Sequence, residues 1–280
     1  MRLGAPVSRY NNPEEWVRLH VENGYGAAYC PVKASDPKSL IQEYVSAAKE
    51  HNIVIAEVGI WNNLLAQDPE EAEKNIRISI ERLAFADEIG ARCAVNISGS
   101  CGTRWDGPHP DNLTEKTFDR IVEISRRILD EVKPARAKYA LEPMPWAYPN
   151  SRESAQHLID RVDNPQFGVH VDMANLINCI DRVYHTGELT RDFFENLGSH
   201  ICSVHAKDSL LVEDRLTMHV DEAIPGEGIF DFDTLLKCCA ALGDVPVLAE
   251  HLKTQEQYQK ATSHLKLVAQ RNGLAWETAK

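Results

Sequence analysis

The chain has 280 residues, close to the roughly 250 of one (β/α)8 barrel. Its 42 acidic and 30 basic residues give a net charge of −12, which repels a phosphate backbone and argues against nucleic-acid partners. No window approaches the roughly 18 apolar residues of a membrane span, and the N-terminus has no apolar signal region. Seven cysteines without C-x-x-C spacing suit buried thiols better than disulfides. We therefore expect a cytoplasmic protein that binds neither nucleic acid nor membranes.

Apolar runs and helix-like segments alternate along the chain. Three helix starts are marked by a capping residue before a proline at the first helical position, at Asn12-Pro13, Asp36-Pro37 and Asp68-Pro69. The apolar runs predict eight β-strands, at residues 3–7, 27–30, 53–58, 92–96, 138–142, 167–172, 201–205 and 245–250.

This alternation indicates the fold class. Strands that alternate with helices form βαβ units with a parallel sheet, and eight such units close a barrel. No linker or repeat divides the chain, so residues 1–280 are predicted to form a single (β/α)8 TIM barrel of the α/β class. Long connections follow three strands, at residues 98–113, 143–150 and 207–228, and we expect them to be loops on the catalytic face.

Four potential metal ligands end the last four predicted strands: Glu142, Asp172, His205 and Glu250. Donors at the carboxyl ends of parallel barrel strands converge, because the barrel brings neighbouring strands together. Three carboxylates and one imidazole suit a divalent ion such as Mn²⁺, Mg²⁺ or Co²⁺, with Zn²⁺ less favoured. Without a cation the three carboxylates would repel one another strongly. The sequence therefore predicts a metal centre.

The motifs around these donors resemble the xylose isomerase-like sugar isomerases and epimerases of the AP endonuclease family 2 type, and the metal site is similar to that of ketose 3-epimerases. The matching segments are Leu141-Glu-Pro, Val171-Asp, Val204-His-Ala-Lys-Asp208 and Ala249-Glu. The resemblance implies that the four donors hold an ion, Mn²⁺ above the others, and that Glu142 and Glu250 also move protons. It implies isomerisation or epimerisation of a carbohydrate through a metal-stabilised enediolate, without an organic cofactor. It also implies a homodimer or homotetramer.

Five further residues are candidates for substrate binding: Glu57, Trp105, Trp146, Asn175 and Lys207. The two tryptophans follow strands four and five, and a tryptophan offers an apolar face to the C–H surface of a sugar. Glu57 ends strand three, where it contacts substrate or caps a loop. Lys207 stabilises an enolate, or it pairs with Asp208 or another acid.

The surroundings of the metal site leave the substrate open. Where ketose 3-epimerases carry a histidine, an arginine and a glutamate for sugar binding, this chain has Asn175, Leu211 and Tyr148. The alternative function is a lyase on a keto-sugar or keto-glycoside, with His109 or Lys207 as the acid that assists the leaving group. An apurinic-site endonuclease fits poorly because only one strand-end histidine is present, and a non-catalytic sugar-binding barrel is a further alternative.

Overall fold

The computed structural model describes residues 1–280 and contains an eight-stranded parallel sheet and a separate two-stranded hairpin. The strands are β1 (Arg2–Gly4), β2 (Ala27–Tyr29), β3 (Val54–Gly59), β4 (Cys93–Asn96), β5 (Lys138–Leu141), β6 (Phe167–Asp172), β7 (Ile201–Ala206), β8 (Asp208–Leu211), β9 (Val220–Ala223) and β10 (Pro246–Ala249). The helices are α1 (Pro13–Asn23), α2 (Lys38–Glu50), α3 (Pro69–Ile89), α4 (Glu115–Val132), α5 (Arg152–Val162), α6 (Ile180–Tyr184), α7 (Thr186–Leu197), α8 (Phe232–Leu242) and α9 (Gln255–Arg271).

The sheet curves into a nearly closed barrel with strand order β1-β10-β7-β6-β5-β4-β3-β2. At the seam between β1 and β2, the backbone N–H of Gly26 donates to the carbonyl oxygen of Leu3 over 3.0 Å. A Cβ atom on Gly4 would lie 2.4 Å from the carbonyl oxygen of Ala27, so only glycine allows the two strands to approach this closely. All eight predicted barrel strands are confirmed, although β1 ends earlier than predicted, before Pro6.

The helices bury one face each against the outside of the barrel. In α4 the apolar side chains of Phe118, Ile121, Ile128 and Leu129 are buried, as the spacing of an amphipathic helix requires. No helix combines the length and apolar character needed to cross a bilayer. All seven cysteines are free thiols.

Two of the three predicted helix starts are confirmed and one is wrong. The side chain of Asn12 caps α1, and that of Asp68 caps α3. The second helix begins at Lys38, one residue later than predicted, because Asp36 caps nothing. Its Oδ2 instead accepts a hydrogen bond from the backbone N–H of Lys33 over 2.8 Å, which closes the preceding turn.

Residues 207–228 are not a plain loop, contrary to the prediction. They form the antiparallel hairpin of β8 and β9, in which Asp208 pairs with Ala223 and Ser209 with Glu222. The buried carboxylate of Asp208 accepts hydrogen bonds from the backbone N–H groups of Ser209, Gly226, Gly228 and Phe230. These bonds tie the return of the hairpin to the end of β7, so the hairpin stands at the mouth of the barrel.

Candidate metal centre

The four predicted metal ligands meet at the carboxyl ends of four consecutive barrel strands, β5, β6, β7 and β10. Asp172 on β6 is paired in register with His205 on β7, whereas Glu142 and Glu250 each follow the last residue of a strand. One ligand atom from each of the four side chains lies within 4.8 Å of the others. The structure thus forms a candidate metal-binding cluster from the residues predicted by sequence.

His205 and Lys207 supply the positive charge inside this cluster. The Nδ1 of His205 lies 3.0 Å from Glu250 Oε1 and 3.7 Å from Glu142 Oε2. The Nζ of Lys207 lies 2.8 Å from Asp172 Oδ2 and 2.9 Å from Glu250 Oε1. Lys207 therefore pairs with acids of the cluster, and with Glu222 at 3.3 Å, but not with Asp208, which is occupied by backbone N–H groups.

The donor set fits a divalent cation on two grounds. Asp172 Oδ2, His205 Nδ1 and Glu250 Oε1 are buried and make no hydrogen bond, although their ion-pair partners lie within 3.0 Å. A buried polar atom without a partner is costly, and a metal ion satisfies several such atoms at once. The set of three carboxylates and one imidazole is also one that divalent ions with oxygen preference accept.

Burial and the neighbouring charges shift the pKa values of the ionisable groups in the cluster. Burial, reinforced by Asp172 and Glu250, raises the pKa of Glu142 well above its usual range. Burial would lower the pKa values of His205 and Lys207, but the surrounding carboxylates outweigh it and raise both. His205 and Lys207 in turn hold the pKa of Glu250 below its usual range, against the effect of burial. The raised pKa values of Glu142, His205 and Lys207 all favour the protonated forms of these groups.

A second layer of polar side chains lies beneath the cluster, inside the barrel. Glu57 Oε1 on β3 lies 3.3 Å from His205 Nε2, and Glu57 Oε2 lies 3.5 Å from His170 Nδ1. His170 Nδ1 is also 2.5 Å from the hydroxyl of Ser203, while its Nε2 is buried without a partner. His170 is a buried interior residue, and burial lowers its pKa well below the usual range.

A cavity of about 590 Å³ opens above the cluster, a size that encloses a small-molecule ligand. All five predicted substrate-binding residues line it: Glu57, Trp105, Trp146, Asn175 and Lys207. Asn175 donates from Nδ2 to Glu142 Oε1 over 2.8 Å, and its backbone N–H donates to Asp172 Oδ1 over 3.2 Å. Asn175 therefore orients two of the candidate ligands, and its contact with substrate stays a prediction.

Sequence reasoning missed several residues that line the cavity: Pro6, Tyr29, Ile97, Arg104, Asp106, Met144, Pro145, Glu222, His251 and Tyr258. His251 directly follows Glu250, and that adjacency was the available signal. No sequence pattern indicated that Glu222 belongs to the site, because it reaches the site only through the β8–β9 hairpin. There it accepts hydrogen bonds from Lys207 Nζ over 3.3 Å and contacts His251 Nδ1 at 3.1 Å.

Three residues considered from the sequence lie away from the cavity lining. Tyr148 packs its ring on Phe118 and donates its hydroxyl to the carbonyl oxygen of Leu113. Leu211 ends β8, where it pairs with Val220. His109 accepts a hydrogen bond from the backbone N–H of Asp111. Of the two residues proposed as the acid of a lyase, His109 and Lys207, Lys207 lines the cavity and His109 does not.

A parallel barrel with an acid-rich centre at the carboxyl ends of its strands places the protein in the class of TIM barrels with a candidate metal site. The chain belongs to the family of xylose isomerase-like TIM barrels, whose family model matches residues 18–268. No curated protein matches the chain significantly by sequence.

Solved structures share this fold over nearly the whole chain. D-psicose 3-epimerase from Clostridium cellulolyticum H10, in complex with D-tagatose, has a TM-score of 0.67 and 15% identity over 96% of this chain and 99% of its own. The probable 3-DHS dehydratase from Bacillus anthracis has a TM-score of 0.70 and 16% identity over 96% and 99%. A xylose isomerase-like protein from Mycobacterium smegmatis, in complex with magnesium, has a TM-score of 0.65 and 16% identity over 93% and 89%. At these identities the likeness establishes the fold alone.

Proposed function

We propose that this protein is a divalent-metal-dependent isomerase or epimerase of a carbohydrate. The observation that carries the proposal is the convergence of Glu142, Asp172, His205 and Glu250 within 4.8 Å, directly beneath a cavity of about 590 Å³. An acid cluster that served only stability would be expected to be balanced by charges of the protein, whereas here three carboxylates share one lysine and one histidine, and several buried atoms make no hydrogen bond. The similarity to a ketose 3-epimerase structure supports the same assignment.

The four side chains would hold the ion, and Mn²⁺ is the metal we favour. When bound, the ion supplies electrophilic chemistry: it draws charge from the carbonyl and hydroxyl oxygens of a sugar and acidifies the carbon-bound proton between them. Asn175 orients Glu142 and Asp172 for this task. Lys207 adds a fixed positive charge beside Asp172 and Glu250.

Glu142 and Glu250 are the proposed acid and base. They lie at the ends of β5 and β10, on either side of the strands that carry Asp172 and His205. This arrangement supports proton removal by one carboxylate and proton return by the other. Return to the same carbon from the opposite face inverts that carbon, and return to the neighbouring carbon interconverts an aldose and a ketose.

The cavity has the composition expected of a sugar site. Trp61 and Trp105 each leave 40% of their surface exposed at the mouth, and Trp146 donates its indole N–H to the carbonyl oxygen of Asp106. Such rings offer flat apolar faces to the C–H groups of a sugar. The charged groups of Lys207 and Glu222 provide partners for hydroxyl groups. We therefore propose a polyhydroxylated substrate.

A lyase acting on a keto-sugar or keto-glycoside is the second candidate. The observation that favours it is the ammonium of Lys207, which is 2.9 Å from Glu250 and lines the cavity. A proton donor beside the proposed base is what a β-elimination needs to release water or an alcohol. The similarity to the Bacillus anthracis dehydratase structure supports it as well.

Solvent exchange distinguishes these functions. The protein loaded with Mn²⁺ is incubated in D₂O with ketoses, aldoses and 3-keto-glycosides, the metal is removed, and deuterium is located by NMR. Deuterium at carbon in a substrate or its epimer, without loss of atoms, supports the isomerase or epimerase. Release of water or of the aglycone supports the lyase. Binding of these compounds without exchange or elimination would contradict both and favour a sugar-binding protein.

A further inference from the structure

The two ring nitrogens of His205 face two different sets of acids. The Nδ1 lies 3.0 Å from Glu250 Oε1 and 3.7 Å from Glu142 Oε2, on the side of the proposed metal ion. The Nε2 lies 3.3 Å from Glu57 Oε1, on the side of the barrel interior. Both Glu57 and His205 are almost completely buried, so water does not compete for these contacts.

We propose that Glu57 is a positioning residue for the metal centre: it accepts a hydrogen bond from the Nε2–H of His205 and so leaves the lone pair of Nδ1 for a divalent ion. A histidine that binds a metal through one ring nitrogen almost always donates the other N–H to a carboxylate, a carbonyl group or water. That bond fixes the tautomer and the ring orientation and strengthens the imidazole as a ligand. The inference rests on the metal centre of the proposed function.

Glu57 also contacts the layer of side chains beneath the cluster. Its second oxygen, Oε2, lies 3.5 Å from His170 Nδ1, and that nitrogen is within 2.5 Å of the Ser203 hydroxyl. The rings of His170 and His205 meet edge to face, with centroids 3.8 Å apart and planes at 70°. This contact restricts rotation of the His205 ring. The ring can therefore keep Nε2 directed at Glu57 while Nδ1 faces the proposed ion.

A second metal ion in this lower layer is the competing explanation, because Glu57, His170 and His205 also have ligand atoms within 4.8 Å of one another. It would require His205 to bind two ions through both nitrogens and therefore to lose both ring protons. An ion bound through His170 Nδ1, the ring nitrogen that lies near Glu57, would also have to displace the Ser203 hydroxyl. One hydrogen bond between Glu57 and His205 needs neither change, and the observations therefore favour a single ion.

The test compares Glu57→Gln with the control Ser203→Ala, which alters the same buried layer but leaves the contact between Glu57 and His205 intact. The glutamine amide can present either an acceptor or a donor to Nε2, so it no longer selects one tautomer. Titration calorimetry with Mn²⁺ should show about a 10- to 100-fold weaker affinity for Glu57→Gln and an affinity near wild type for the control. Equal affinities for wild type and Glu57→Gln, or two ions bound per wild-type chain, would overturn the inference.

The wild-type protein provides a readout that does not depend on the variant folding. In protein labelled with ¹⁵N-histidine and loaded with diamagnetic Mg²⁺, the His205 ring should carry its proton on Nε2 only, with the signal assigned by its loss in His205→Gln. A proton on Nδ1 would overturn the inference. If wild type binds neither Mn²⁺ nor Mg²⁺, the metal centre of the proposed function fails. If it binds them and Glu57→Gln binds equally well, only the role of Glu57 fails.

Discussion

The carboxylates at the two ends of the barrel differ in how they are paired with cationic groups. At the amino end, Asp244 lies between two guanidinium groups: Arg2 Nε is 2.5 Å away, and Arg92 forms a second ion pair with it. Arg2 also donates to the backbone carbonyl of Asn52 over 2.8 Å. At the carboxyl end, three carboxylates share Lys207 and His205, and several of their buried atoms have no hydrogen-bond partner.

The two ends of the barrel thus differ in how completely the protein balances its own charges. Charges that are paired within the barrel, as at Asp244, are satisfied by the protein itself. The three carboxylates of Glu142, Asp172 and Glu250 are only partly balanced by the two cationic groups of His205 and Lys207. In (β/α)8 barrels the amino-terminal face generally serves stability and the carboxyl-terminal face carries the chemistry. Substitutions at the two ends are therefore expected to have separate effects.

The largest expected effect is the loss of catalysis in Glu250→Gln and in Glu142→Gln. Each substitution removes a proposed acid or base, whose contribution is typically of the order of a thousandfold in rate. Deuterium exchange in the Mn²⁺-loaded protein measures the effect, and Asp244→Asn at the other end of the barrel serves as the control with unchanged exchange. Wild-type exchange rates in both glutamine variants would exclude these two residues from proton transfer.

Stabilisation by metal is the next largest effect. A divalent ion at one hundred times its dissociation constant should raise the free energy of unfolding by about 2.7 kcal/mol, because it binds the folded chain and not the unfolded one. Thermal unfolding with and without Mn²⁺ measures this, and the melting temperature should rise by several degrees. In Asp172→Asn the rise should disappear or shrink. An equal rise in wild type and Asp172→Asn would assign the metal binding to another part of the chain.

The smallest effect is expected at the amino end. Asp244→Ala removes the acid shared by Arg2 and Arg92 and should lower the free energy of unfolding by about 1 kcal/mol, since Asp244 is partly exposed and its ion pairs are screened by solvent. Urea unfolding measures the loss. Mn²⁺ affinity and deuterium exchange should not change, and a weakened affinity would mean that the two ends of the barrel are coupled.

The candidate metal-binding cluster was predictable because it depends on local patterns. Each of the four ligands ends an apolar run, and the alternation of side chains along a strand places His170 and Asp172 on the same side of β6. Once eight βα units are recognised, barrel closure brings the ends of neighbouring strands together whatever their spacing in the chain. The convergence of Glu142 and Glu250 with Asp172 follows from that rule.

The surroundings of the site were not predictable because they depend on contacts between distant segments. The β8–β9 hairpin carries Glu222 to Lys207 and His251, although nothing in its sequence distinguishes it from a polar loop. Similarly, the sequence predicts Asp36 as a helix cap, but its carboxylate accepts a hydrogen bond from the backbone N–H of Lys33 in the preceding turn. In both cases one polar side chain had several possible partners, and packing selected among them.

By itself, the sequence determined the barrel and the ends of its strands, since these follow from hydrophobic periodicity. It also determined the four candidate ligands, because each is a metal-binding residue type at the end of an apolar run. Only the tertiary structure decided that Lys207 pairs with Asp172 and Glu250 instead of Asp208, and that Glu57 faces the ring of His205. The physical reason is that a buried charged group pairs with the opposite charge that packing brings within about 3 Å. The distance between the two groups is set by the closed barrel and not by their spacing along the chain.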